Sequence, residues 1–220
     1  DIPGSNLPAS PLNLTIQGLN SAITPANGTQ GIIFRKQGGV NQATANIAIR
    51  LDADITTTET DAGVFISQSG GNGSRGANGP GFGDGKNGQP GARAGEVFLS
   101  GQGTVRNSVS KPANSAAVFV QAINGNGGNG GDAKRLVVAP GGNGGRGGNG
   151  GSGGRVSVTN QGDWTIVSTG VSNAMGIYLS SIGGNGGIGG RGYALSGGTS
   201  GSGGASPDLL FRSGASGKGS

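Results

Sequence analysis

Asp52 and Asp54 are the first residues whose types and spacing could do chemistry. A glycan hydrolase needs two carboxyl groups, one to protonate the leaving oxygen and one to act as base or nucleophile. With a nearby Arg or Lys, this pair would suit an anionic polysaccharide. The plainer reading places the two carboxylates on one outward strand face near a corner. The chain has no His and no Cys, so Ser–His–Asp triads, Cys nucleophiles and zinc-finger spacings are excluded. Gly127-Gly128-Asn129-Gly130-Gly131-Asp132 begins like a calcium-binding turn. A calcium roll repeats that turn in tandem with an apolar residue two after the Asp, and Lys134 stands there instead. No Gly-Lys-Ser/Thr follows any glycine loop, so there is no P-loop. Trp164 and Tyr193 could stack on a sugar, although Trp164 suits a strand surface or a packed corner better. No cofactor is expected.

The elements that position these residues must come from an unusual composition. Glycine accounts for 53 of 220 residues, about 24% against a usual ~7%. Only 31% of residues are hydrophobic and 4% aromatic, too few for the core of a compact globule of this length. They suffice for a thin, elongated one. No apolar run is long enough to span a membrane as a helix. The chain opens at Asp1 without Met or a signal-like stretch, as expected for a processed or excised piece. The net charge is +5, but the basic residues are scattered. They read as solubilising charge rather than as a patch for nucleic acid or another polyanion.

The sequence repeats itself. Gly31-Ile32-Ile33-Phe34, Gly63-Val64-Phe65-Ile66, Ala117-Val118-Phe119-Val120 and Gly176-Ile177-Tyr178-Leu179 align without gaps. Leu12/Leu14, Ile47/Ile49, Val97/Leu99, Val156/Val158 and Leu209/Phe211 form a second set. Each repeat reads as three short strands. The first covers 12–16, 47–51, 97–100 and 155–159; the second covers about 19–24, 54–58, 104–109 and 163–168; the third covers 31–35, 63–67, 117–122 and 176–181. Alternation puts Val156 and Val158 inward, Ser157 and Thr159 outward. Helical periodicity is absent, and Gly and β-branched residues oppose it. The expected fold is all-β: one right-handed parallel β-solenoid over 1–220, with about four three-stranded coils. Like residues would stack about 4.8 Å apart. Successive apolar residues in the third strand predict burial on both faces.

Glycine-rich inserts fall at one corner, over approximately 72–95, 126–154 and 185–206. From Gly141 to Arg155 the chain reads Gly-Gly-X five times, with X being Asn143, Arg146, Asn149, Ser152 and Arg155. From Gly183 it does so three times, with Asn185, Ile188 and Arg191. Period three is that of polyglycine and polyproline-II-type helices. Two edges of such a helix are bare backbone, open to close approach by neighbouring chains, and the third carries every X. A flexible linker has no reason to hold this phase. Each insert is interrupted midway: Gly79-Pro80-Gly81-Phe82, then Ala133 to Pro140, then Tyr193-Ala194-Leu195. The layout predicts hairpins, one glycine helix out and one back, stacked into a bundle that covers the third strands.

Ala174-Met175-Gly176-Ile177-Tyr178-Leu179-Ser180-Ser181-Ile182-Gly183-Gly184-Asn185-Gly186-Gly187 resembles the Gly-Ile-x-x-Gln-Ser-Ile-Gly-Gly-Gly-Gly repeat of large Gram-negative autotransporter passengers. Gly63 to Gly73 is similar, and Ala117 to Gly128 is a looser copy. The resemblance implies a β-helix exported through a C-terminal translocator barrel in the parent chain. It also implies display at the outer membrane, most often as an adhesin and less often as a protease or esterase.

The expected function is therefore a non-catalytic structural and adhesive module that meets a host or environmental surface, glycan or protein. Phe82, Leu136, Val137, Val138, Tyr193 and Leu195 are apolar residues at the expected hairpin tips. They serve either as contact sites or as a seal on the bundle end. Arg146, Arg155 and Arg191 are candidates for a basic X-face. The alternatives are the polysaccharide enzyme above, a phage tail-fibre-type adhesin and an ice-binding glycine-helix face.

Overall fold

The computed structural model describes residues 11–80, 83–110, 115–133, 142–170, 173–192 and 209–212. Nine strands follow in order: β1 (Leu12–Ile23), β2 (Ile32–Gln37), β3 (Ile47–Thr58), β4 (Ala62–Ser69), β5 (Val97–Val109), β6 (Ser115–Ile123), β7 (Val156–Gly170), β8 (Ala174–Ile182) and β9 (Leu209–Arg212). No helix occurs among the described residues. The strands form two parallel sheets, in the orders β1-β3-β5-β7-β9 and β2-β4-β6-β8.

Each repeat supplies two strands, not three. The first and second expected runs are continuous, and the seam between them survives as a bulge. The register of β5 on β7 shifts between Gly101 and Gly103. Gly103 adopts φ +93°, a conformation open mainly to glycine, so the chain bends there without leaving the sheet.

Columns of like residues build the core. Ile47 stacks on Val97 and Val156; Ile49 stacks on Leu99 and Val158. In the second sheet, Phe34, Ile66, Val120 and Leu179 share a column, and Val64 stacks on Val118 and Ile177. Both sheets contribute to one buried cluster. Gly31 marks how closely the layers approach, because a Cβ there would strike Ile55 Cγ2 at 2.6 Å. Trp164 fills the corner left by small residues: a Cβ on Gly101 would lie 3.0 Å from its ring.

The middle column of the second sheet departs from expectation. Ile33, Phe65, Phe119 and Tyr178 face outward, and Tyr178 is 37% exposed. The rings cover one another instead of being roofed. Phe65 and Phe119 stack at 5.1 Å, and Phe119 and Tyr178 at 4.8 Å, close to the spacing of paired strands.

The glycine-rich stretches 71–80, 83–92, 124–133, 142–154 and 183–192 are extended and regularly hydrogen-bonded to one another. Stretch 83–92 returns antiparallel to 71–80 through Lys86 N–H to Ala77 O, Gln89 N–H to Ser74 O and Ala92 N–H to Gly71 O. Stretch 142–154 returns against 124–133 in the same way, through Gly145 to Gly131, Gly148 to Gly128 and Gly151 to Gly125. The out-and-back layout expected from the sequence is present in the first two inserts, with donors at every third residue; the return of the third, after 192, lies outside the described residues.

Candidate functional site

A groove of about 910 Å³ runs beside the aromatic column. Phe65, Phe119 and Tyr178 form its floor; Arg35, Asp61 and Ser115 are among its polar walls. The register of β4, β6 and β8 fixes the floor, because one outward aromatic recurs in each strand. The Arg35 guanidinium lies 5.0 Å from the centre of the Phe65 ring and caps that end by a cation–π contact. Ser115 is 2% exposed, and its hydroxyl makes no hydrogen bond. A buried, unpaired hydroxyl is costly to the fold. None of the described glycine stretches lines this groove.

The sequence hides this groove, because three consecutive apolar residues read as burial on both faces. The usable signal was there. Phe65, Phe119 and Tyr178 are the aromatics, and aliphatics flank each one. An aliphatic-aromatic-aliphatic triplet is alternation with an apolar outer face.

The residues singled out from the sequence are dispersed. Phe82, Leu136, Val137, Val138, Tyr193 and Leu195 all lie outside the described residues. Arg146 lies in the returning stretch 142–154, Arg155 follows it immediately before β7, and Arg191 lies in the outgoing stretch 183–192. Arg146 N–H donates to Asn87 Oδ1, and Arg191 N–H donates to Asp132 Oδ1. All three arginines are exposed, Arg146 and Arg191 on neighbouring hydrogen-bonded stretches.

Asp52 and Asp54 have structural tasks. Asp52 is 4% exposed and pairs with Arg50 Nε at 2.7 Å. Asp54 Oδ1 accepts the Thr104 N–H at 2.7 Å, bracing the bulge. Trp164 is 8% exposed and joins the core cluster, so its ring is no sugar platform. Asp132, in the calcium-like turn, has both oxygens engaged: Oδ1 by the Arg191 N–H and Oδ2 by Arg75 Nη2, each at 2.8 Å. The Arg191 backbone hydrogen bond, helped by the charges of Arg75 and Arg191, holds this carboxyl below the usual range.

The Asn and Asp residues at X positions do what the sequence did not announce. Asn72 Oδ1 accepts the Asn126 N–H, and Asn126 Oδ1 accepts the Asn185 N–H. Asn78 and Asp132 repeat the arrangement with the next outgoing stretch, as do Asp84 and Asn87 with Asn143 and Arg146 on the returning side. Each carboxamide or carboxylate thus replaces a missing backbone acceptor in the layer that follows.

No family model matches this chain, and neither a curated protein nor a solved structure matches it.

Proposed function

We propose that the protein is a non-catalytic adhesive module of a secreted bacterial surface protein of the autotransporter type. In this reading the two sheets are faces of a right-handed parallel β-solenoid, and the glycine stretches are polyglycine-type helices projecting from one corner. A C-terminal translocator barrel in the parent chain would deliver the module to the cell surface.

The observation that carries the binding role is the aromatic-floored groove. On a frame whose backbone groups are otherwise heavily paired, it presents the aromatic rings and the Arg35 guanidinium to one space. That combination suits a glycan or a peptide with both apolar and hydrogen-bonding groups. Asp52 and Asp54 lend the enzyme reading little support, since one sits in an ion pair and the other holds the bulge.

The test is attachment of protein-coated beads to cells or matrix. Tyr178→Ser combined with Arg35→Ser should abolish attachment and leave the β-rich circular dichroism spectrum intact. Loss with Phe82→Ser, Val137→Ser and Leu195→Ser instead would move binding to the tips. Loss between low and physiological salt, with both variants still binding, would assign it to charge. No attachment by the unaltered protein would overturn the adhesive reading.

A further inference from the structure

Asn72, Asn78, Asn87, Asn126 and Asn129 are each followed by glycine, and each is exposed. Asparagine is thermolabile, and most of all before glycine, where no side chain hinders ring closure. The glycine nitrogen, once deprotonated, attacks the Asn Cγ. Ammonia leaves and a five-membered imide forms. Water then opens the imide to Asp or to isoaspartate, whose main chain runs through one extra methylene. Burial does not shield these five side chains from that reaction.

One arrangement recurs at all five. The Asn Oδ1 and the following glycine N–H grip the same residue of a neighbouring stretch. Asn72 Oδ1 accepts the Asn126 N–H, and the Gly73 N–H donates to Asn126 O. Asn78 and Gly79 hold Asp132 in this way, and Asn87 and Gly88 hold Arg146. Asn126 and Gly127 hold Asn185, and Asn129 and Gly130 hold Ile188. Every one of these bonds lies between 2.7 and 3.0 Å.

We propose that these five Asn-Gly pairs are latent deamidation sites, kept unreactive by the grip of each pair on the next stretch. Imide formation needs the glycine N–H stripped of its proton and turned towards Cγ. Here that N–H is held by a carbonyl of the adjacent stretch, and Oδ1 is anchored to the same residue. Ring closure must break both bonds. The backbone has little room to rotate, since a Cβ on Gly88 would strike the Gly128 carbonyl and one on Gly128 the Ser74 carbonyl. Protection therefore lasts only while the stretches are stacked. Once a pair reacts to isoaspartate, the extra methylene throws the three-residue phase out of step, and that stretch no longer matches its neighbour.

The test is peptide mapping by mass spectrometry after incubation at mildly alkaline pH, with the protein folded or held in guanidinium chloride. All five pairs should react in denaturant, and each should react at least ten-fold more slowly in the folded protein. Arg146→Pro removes the N–H that Asn87 Oδ1 accepts but keeps the carbonyl that holds Gly88, and the fixed φ of proline suits an extended stretch. Asn87 alone should then react about five-fold faster, the rate equivalent of one hydrogen bond. Ile188→Pro should release Asn129 alone by the same factor. Circular dichroism checks folding, and should one variant unfold, the other decides. Equal rates in folded and unfolded protein would overturn the proposal, as would an unchanged rate at the released pair in a folded variant. Acceleration of all five pairs in both variants would overturn it too, because protection would then belong to the fold as a whole and not to each grip.

Discussion

Asn126 Oδ1 accepts the backbone N–H of Asn185, 59 residues later in the chain, at 2.9 Å. In the other direction, the Asn126 N–H is held by Asn72 Oδ1 at 2.9 Å. One asparagine therefore joins three layers. Asn126→Ala removes the acceptor and should cost about 1 kcal/mol, or roughly 2–4 °C in Tm. Asn126→Asp keeps an acceptor oxygen and should cost less. Thermal melts of the two variants compare them directly, and equal losses would mean that the ladder contributes nothing.

Gly145 and Asn143 are two residues apart on one returning stretch and should respond oppositely. A Cβ on Gly145 would overlap the Lys86 carbonyl, a backbone group that cannot step aside. Asn143 is exposed at an X position. Gly145→Val should therefore lower Tm sharply, and Asn143→Val should change it by a few degrees at most. Proteolysis should cut the Gly145→Val variant within 142–154 first.

Val158 is fully buried between Leu99 and the column around it. Val158→Asp would place a charge in a core only one side chain thick, where neither sheet offers a partner. A loss above about 4 kcal/mol is expected, a large part of the ~5–15 kcal/mol that holds a typical domain folded. An unchanged thermal midpoint would mean that β7 is paired in the wrong register.

Lys36 lies in the inward column that continues with Gln68 and Ala122, and burial pulls its pKa below the usual lysine value. Between the folded and unfolded values, the unfolded chain binds more protons. Stability should therefore rise with pH across that alkaline window. Lys36→Met should abolish the rise. Urea midpoints measured from neutral pH to the usual lysine value would display it, and an identical slope in the variant would assign the dependence to another group.

Several features were already fixed by residue order. Aliphatic residues at matching offsets, such as Ile49, Leu99 and Val158, stack in register because a parallel sheet puts equivalent positions side by side. Strict Gly-Gly-X phase forecast the out-and-back glycine stretches, since only a three-residue repeat lets bare backbone meet bare backbone. Tertiary structure decided the rest. Whether Gly101 to Gly103 ends a strand or bulges within one depends on the partner β7, so three expected strands became two. Whether Phe119 is core or surface depends on which way one sheet face turns, and three apolar neighbours look alike in either case. The role of Asn126 depends on a backbone N–H 59 residues away. Local sequence specifies conformation and period, but acceptor and donor meet only when layers from distant parts of the chain are stacked.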